Sequence, residues 1–166
     1  MKRDFIKPLI IMTPKSLLRA EFASSPAADF TNGRFHEILG SPKVGTAAKT
    51  KRVIFCSGKV YYDLLNYREA NKINNAALIR VEQLYPLDRT KLRNLVKPFP
   101  KNAKLVWCQE ESQNMGAWTF MEPRLRGLFK REIAYAGRNA SASPAVGSLA
   151  LHKREQAQLI KDAFKA

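Results

Sequence analysis

Apolar and polar positions follow two regimes along this chain. Through residue 51 the apolar residues come in isolated patches. The first, PLIIMT (8–13), reads as a short strand, and PKSLLRAEF, which follows it, suits a single helical turn opened by Pro14. Residues 23–51 are rich in Ala, Ser, Gly, Pro and Lys around one apolar patch, FTNGRFHEIL. They predict a long surface connection holding at most a short strand.

From residue 52 the pattern becomes regular. KRVIFCSG is a strand ending in Ser-Gly. KVYYDLLNYREANKI places Val60, Leu64, Tyr67 and Ile73 at helical spacing, with Ser57 as the expected N-cap. AALIRVEQL (76–84) is a second strand. DRTKLRNLVKPF is a helix with Leu92, Leu95 and Val96 on one face, stopped by Pro98 and Pro100. KLVWCQ (104–109) is a third strand, and AWTFMEPRLRGLFKR is a helix expected to be interrupted or bent near Pro123. REIAYAG is a fourth strand, SASPAVGS a loop, and LALHKREQAQLIKDAFKA an amphipathic last helix. Strands alternating with helices predict an α/β fold: a mostly parallel sheet of about five strands with helices on both faces. The expected division is an N-terminal strand and irregular linker over 1–51 and an α/β domain over 52–166.

In such sheets chemistry gathers at the carboxyl ends of the strands. Ser57-Gly58 opens a helix there, and a helix N-terminus can receive a phosphate. One glycine is far short of a dinucleotide fingerprint, and Val60 after Lys59 excludes a P-loop. Glu82-Gln83 ends one strand and Glu110-Glu111 follows another, and the two pairs are placed to face each other across a shared edge. A carboxylate pair can do acid/base work if one pKa is raised. The alternative is a solvent-facing Glu beside one that accepts turn N–H groups before Gly116. His36 and His152 are the two histidines, and neither has a Ser or Cys at motif spacing. The small residues of 137–147 suit a tight loop, or a loop touching a ligand or a neighbouring subunit.

Composition narrows the classes. Hydrophobic residues make up 45% and charged residues 26% of the 166, which is ordinary for one globular domain. No apolar run reaches membrane-spanning length. The start is basic then apolar, but the stretch from Pro8 to Met12 is too short for a signal-peptide core. The expected compartment is the cytoplasm, or the mitochondrial matrix of a eukaryote. Cys56 and Cys108 each lie in an apolar run without a CxxC or His neighbour, so both read as buried thiols and no metal site is expected. The net charge is +15, from 29 Lys and Arg against 14 Asp and Glu. That permits an acidic partner or nucleic acid. The cations are scattered rather than clustered, which argues against a dedicated nucleic-acid surface and fits a general drift toward Lys and Asn.

Five stretches in order, MTPKSLLR (12–19), CSGKVYYDLL (56–65), RVEQLYPL (80–87), WCQEESQNMGAW (107–118) and YAGRNASASPAVG (135–147), resemble the C-terminal end of the 2-oxoglutarate dehydrogenase E1 component. The resemblance implies a transketolase-like C-terminal domain from a dimeric enzyme that uses thiamine diphosphate and Mg2+. That enzyme decarboxylates 2-oxoglutarate and passes the succinyl group to a lipoyl group on its E2 partner. It implies that cofactor, metal and catalytic residues belong to the preceding domains and that none is in this chain. Glu110, Glu111, Asn114, Gly116 and Trp118 would then shape a strand–turn–helix junction at or near a subunit contact. Met115 stands where the family pattern has Gln. The resemblance also implies a regulatory acyl-CoA or nucleotide site at Arg34, Gln83, Arg89, Thr90 and Lys91. The reading from another class is a basic module repurposed for nucleic acid or an acidic partner.

Overall fold

The computed structural model describes residues 4–8, 10–41 and 45–165. Residues 1–3, 9 and 42–44, all within the expected strand-and-linker segment, and 166, the end of the expected last helix, lie outside the described residues. The chain divides into one unit through Gly33 and another from Arg34.

In the first unit, short 3-10 turns at Lys15–Leu17 and Glu21–Ala23 precede α1 (Ala27–Thr31). The turn predicted after Pro14 is present. The strand predicted over 8–13 is not formed at the described positions 8 and 10–13. A strand needs a neighbour to satisfy its backbone, and among the described residues none pairs with this segment.

The second unit holds β1 (Ile38–Leu39), β2 (Arg52–Cys56), α2 (Val60–Ala70), β3 (Ala76–Val81), α3 (Arg89–Val96), β4 (Lys104–Ser112), α4 (Trp118–Phe129), β5 (Ile133–Arg138) and α5 (Leu149–Lys165). The sheet order is β1-β3-β2-β4-β5. β1 runs antiparallel to β3, and the pairings among β2, β3, β4 and β5 are parallel. The expected α/β fold is therefore present. The compact unit that holds the sheet starts at Arg34, and Ile38 and Leu39 of the expected linker pair with Val81 and Arg80.

Period-2 alternation sends the two faces of each strand into separate cores. Val53, Phe55, Ala77, Ile79, Leu105 and Trp107 pack with Leu92 and Val96 of α3 and Met121, Leu125 and Leu128 of α4. Ile54, Cys56, Leu78, Val106 and Cys108 pack with Val60, Tyr61 and Leu64 of α2 and Leu159, Ile160, Ala163 and Phe164 of α5. Two helices cover each face, as an inner parallel sheet requires.

Two local expectations change. Ser57 does not cap α2. The N-cap is Lys59, reached through Gly58 at φ +69°, a conformation glycine adopts without strain. Pro123 lies inside α4 without interrupting it. Proline removes one backbone donor there, while Met121, Leu125 and Leu128 anchor the helix on both sides.

Leu92 is fully buried in α3, a helix of two turns capped by Asp88, whose Oδ1 accepts from Lys91 N at 2.8 Å. Leu92→Ala is expected to cost roughly 2–5 kcal/mol in urea unfolding, with an unchanged denaturant slope. A cost below about 1 kcal/mol would mean that α3 is not anchored by this side chain.

Candidate functional site

The carboxyl ends of the strands carry the polar clusters. β2 lies between β3 and β4, so Glu82 and Glu110 do not face each other, and the expected carboxylate pairing across a shared edge is overturned. Each carboxylate instead meets cations or amides. Glu82 Oε1 accepts from Arg80 Nε at 3.0 Å and from Gly58 N at 3.4 Å. The Arg80 guanidinium lies over the rings of Tyr61 and Tyr62, 4.5 and 5.3 Å from their centroids. Glu110 Oε1 and Asp63 Oδ2 each stand 2.8 Å from Lys59 Nζ. Gln156 Nε2 of α5 donates to the same two oxygens, at 2.8 and 2.9 Å. Burial pushes the Lys59 ammonium pKa down, and its hydrogen bonds to Asp63 and Glu110 more than offset this, so the net shift is upward. An anion entering at this helix N-terminus would meet three carboxylates, which disfavours the phosphate reading of Ser57-Gly58.

Glu110 and Glu111 lie in the last turns of the pleat of β4, not in the turn, which follows over 113–117. β4 shifts register against β5 between Cys108 and Ser112. Glu110 faces α2 and α5 through Lys59 and Gln156, while Glu111 is exposed. The sequence reading passed over their neighbour Gln109, which is 4% exposed. Its Oε1 accepts from the Trp107 indole N–H at 3.0 Å and from Trp118 N at 2.9 Å. Its Nε2 donates to the carbonyls of Met115 at 2.7 Å, Ser112 at 3.1 Å and Glu111 at 3.3 Å. The available signal was its position, two residues beyond Trp107 on the same buried face. Met115 contributes its main-chain carbonyl to this hub, so the substitution of its side chain leaves the contact intact.

Of the other expected loop residues, Asn114 clamps the loop after β5: its Nδ2 donates to Ser141 O at 2.9 Å, and its Oδ1 accepts from Ser141 N at 3.0 Å. Gly116 sits at φ +65°, and a Cβ there would come within 3.0 Å of Gln109 Nε2 and the Glu111 side chain. Trp118 packs its ring against Tyr135, 5.0 Å between centroids. Tyr135 in turn donates from its hydroxyl to Arg138 O at 2.9 Å. The structure thus brings together Asn114, Gly116 and Trp118 around Gln109 and directs Glu110 to the opposite face of the sheet.

The expected effector set divides. Glu37 gathers part of it: its carbonyl accepts from Glu82 N and Gln83 N, and its carboxylate lies 3.3 Å from Lys91 Nζ. Its own backbone N–H and Lys91, with Arg34 more distantly, hold its carboxyl below the usual range. Gln83 Nε2 folds back onto Pro86 O at 2.9 Å, and Arg89 and Thr90 are exposed at the start of α3.

At the end of β5, Arg138 donates to Gln156 Oε1 at 3.3 Å, stands 2.9 Å from His152 Nδ1 and lies 3.6 Å from Glu155. A cavity of about 410 Å3 opens beside it, lined by the small-residue loop with Glu155 and Asp162. Cys56 and Cys108 are buried free thiols, and burial pushes Cys56 up to about 12. Among the described residues, no group of three or more His, Cys, Asp or Glu could hold a metal, and no helix is long and apolar enough to cross a membrane.

Comparison with known proteins adds the following. A family model described as 2-oxoglutarate dehydrogenase C-terminal matches residues 24–164. The 2-oxoglutarate dehydrogenase E1 component of Cupriavidus necator is 47% identical over 166 residues, covering 99% of this chain and 18% of the relative. That of Brucella ovis is 45% identical over 180 residues, again 99% and 18%. The chain thus spans less than a fifth of the length of the curated relatives it matches. A solved chain of a split-gene transketolase, an inactive β4 tetramer, superposes with a TM-score of 0.53 at 17% identity over 80% of this chain and 43% of that one. That likeness shows the fold alone.

Gln109→Leu keeps the shape of the hub and leaves two N–H donors and the Met115 carbonyl without a partner. Each orphan costs about 1–3 kcal/mol, so a loss of about 3 kcal/mol or more is expected in urea unfolding. A loss under about 1 kcal/mol would remove Gln109 from this role. Burial also raises Cys56 and Tyr135 to about 12, from ordinary values of 9.0 and 10.0. Both groups lose their protons first in the unfolded chain. Stability is therefore full below pH 9 and falls as pH rises toward 12. Urea midpoints of Cys56→Ala measured over that range are expected to fall less steeply than those of the parent.

Proposed function

The chain belongs to the 2-oxoglutarate dehydrogenase C-terminal family, and from that premise we propose that it is the assembly domain of an E1 component, inactive by itself. The observation that carries this is the alignment of 99% of the chain with relatives of that name at 45–47% identity. The proposed whole enzyme performs oxidative decarboxylation of 2-oxoglutarate in the tricarboxylic acid cycle and transfers the succinyl group to a lipoyl-bearing E2 component. Its setting is the cytoplasm, or the mitochondrial matrix in a eukaryote. Among the described residues, the carboxyl ends of the strands do not suit thiamine diphosphate. The α2 N-terminus faces Glu82, Asp63 and Glu110, all already engaged by this chain's own donors. The cofactor is proposed to bind the remaining E1 domains, joined to this chain or carried separately.

The junction built on Gln109 is proposed as part of the homodimer contact. Glu111 and Asn114 are its exposed members, on a scaffold fixed by Gly116 and Trp118. The cluster around Glu37 is proposed as the acyl-CoA or nucleotide site, where an effector phosphate would compete with Glu37 for Lys91. Calorimetric binding of acetyl-CoA that is lost in Lys91→Ala would support that assignment, and absence of binding to the parent would remove it.

The reading is tested by following 2-oxoglutarate-dependent reduction of an artificial electron acceptor with thiamine diphosphate and Mg2+. No turnover is expected from the chain alone. Turnover is expected when it is mixed with a polypeptide carrying the remainder of the Cupriavidus necator E1 component, and that remainder alone should be less active. Turnover by the chain alone, or none in the mixture, would overturn the proposal.

A further inference from the structure

Charge is divided between the two ends of the sheet. Toward the carboxyl ends of the strands, Lys59, Arg80, Lys91 and Arg138 each meet a carboxylate. The amino ends differ. Three stretches far apart in sequence, 48–52, 71–75 and 97–104, carry seven Lys and Arg and no Asp or Glu. These cations look scattered along the chain, and the topology collects them. β2 lies between β3 and β4, with Arg52 in register with both Ala76 and Lys104. The three stretches therefore lead into neighbouring strands side by side. Main-chain bonds fix them there: Lys51 N donates to Asn75 O at 2.7 Å, and Lys104 N donates to Lys51 O at 2.8 Å.

A cavity of about 640 Å3 opens at this edge, a volume within the range of small-molecule sites. Its charged lining is Lys49, Lys51, Arg52 and Lys104, and Asn74, Asn75 and Asn102 add side-chain amides. Lys49, Lys51 and Lys104 are exposed, and none of the three has an ion-pair partner among the described residues. Lys72 and Lys97 stand at the ends of α2 and α3, where the helix dipole accounts for a cation. Lys51 and Lys104 stand at strand starts and have no such reason. Thr50, 2% exposed, lines the same cavity, and its hydroxyl has no hydrogen-bond partner among the described residues. A buried hydroxyl left unpartnered carries a cost that a ligand in the cavity can remove.

We propose that this cavity binds a small soluble anion with at least two phosphate groups, held by Lys49, Lys51, Lys104 and the Thr50 hydroxyl. Three ammonium groups match the roughly three negative charges of a diphosphate near neutral pH. Lysine serves a phosphate as a point charge and needs no fork geometry. Two features disfavour a nucleic-acid strand. No aromatic side chain lines the cavity to stack a base. Its one guanidinium, Arg52, donates from Nη2 to Lys165 O at 2.6 Å. The cavity lies at the opposite end of β3 from the cluster around Glu37 and is independent of the effector assignment made there. It adds a site to the E1 assembly reading and does not rest on it.

The test is calorimetric titration of the full 166-residue chain with inorganic pyrophosphate at low salt. Saturable one-to-one binding is expected, weakening as salt rises because exposed charges are screened. Lys51→Ala and Lys104→Ala should each weaken it at least about tenfold, the loss of one charge-assisted contact, with melting unchanged because both side chains are exposed. Thr50→Val should weaken it at least about threefold without lowering the melting temperature, since the hydroxyl has no partner to lose. Lys153→Ala, which removes an exposed cation of α5, should leave it unchanged. Absence of saturable binding would overturn the proposal. So would an equal loss in Lys153→Ala, which would mark general charge attraction. Loss in Lys91→Ala in place of Lys51→Ala would put the anion at the Glu37 cluster and overturn it as well. Association with anionic vesicles or a single-stranded oligonucleotide, without binding of pyrophosphate, would replace the small anion by a macromolecular surface and also overturn it.

Discussion

The arrangement of the second unit depends on one buried carboxamide. Gln109 sits where β4 leaves the sheet, a point at which the backbone must give up its ladder partners and reverse into α4. Three carbonyls and two N–H groups converge on this side chain, and no charged group could serve both kinds at once. An amide can, because it presents an acceptor and two donors in one plane. It fixes the turn over 113–117, which places Asn114 against Ser141 and so positions the loop after β5. Within β5 itself, Gly137 has a physical reason as well: a Cβ there would collide with the Tyr135 hydroxyl.

Adjacent positions on a strand point to opposite faces, so Glu110 does for one helical layer what Gln109 does for the other. Its carboxylate joins Lys59 at the start of α2 to Gln156 of α5. Gln156 also accepts from Arg138 at the end of β5. Half-buried ion pairs contribute modestly to stability. Their hydrogen-bond geometry sets the register of α5 against the sheet, which a purely apolar seam would leave freer to slide. The two glutamates that looked like an acid/base pair are therefore one structural latch and one solvent-facing residue.

The sequence carried the layered fold because period-2 and period-3.6 patterns from residue 52 onward are local and strong. It carried Leu92, Val96, Val60 and Leu64 as buried anchors for the same reason. Strand order is nonlocal, so nothing in the sequence pattern placed β2 between Glu82 and Glu110. Gln109 was hidden by its chemistry: an amide closing an apolar strand looks like the start of a turn until the groups that converge on it are known. Ser57 was a good cap by type but stands two residues too early, because Gly58 takes a positive φ before the helix begins. The N-terminal run failed differently. Its pattern is a strand's, but pattern alone does not supply the neighbouring strand.

Magnitudes explain why that run stays open. Burying Leu9, Ile10, Ile11 and Met12 fully would contribute roughly 6–12 kcal/mol. Ordering the six residues from Pro8 to Thr13 costs roughly 6–12 kcal/mol in backbone entropy alone. The two nearly cancel, so the segment has no reason to collapse into a strand by itself. A preformed sheet edge changes the balance, since each ladder bond adds about 0.5–1.5 kcal/mol without further ordering of the acceptor side.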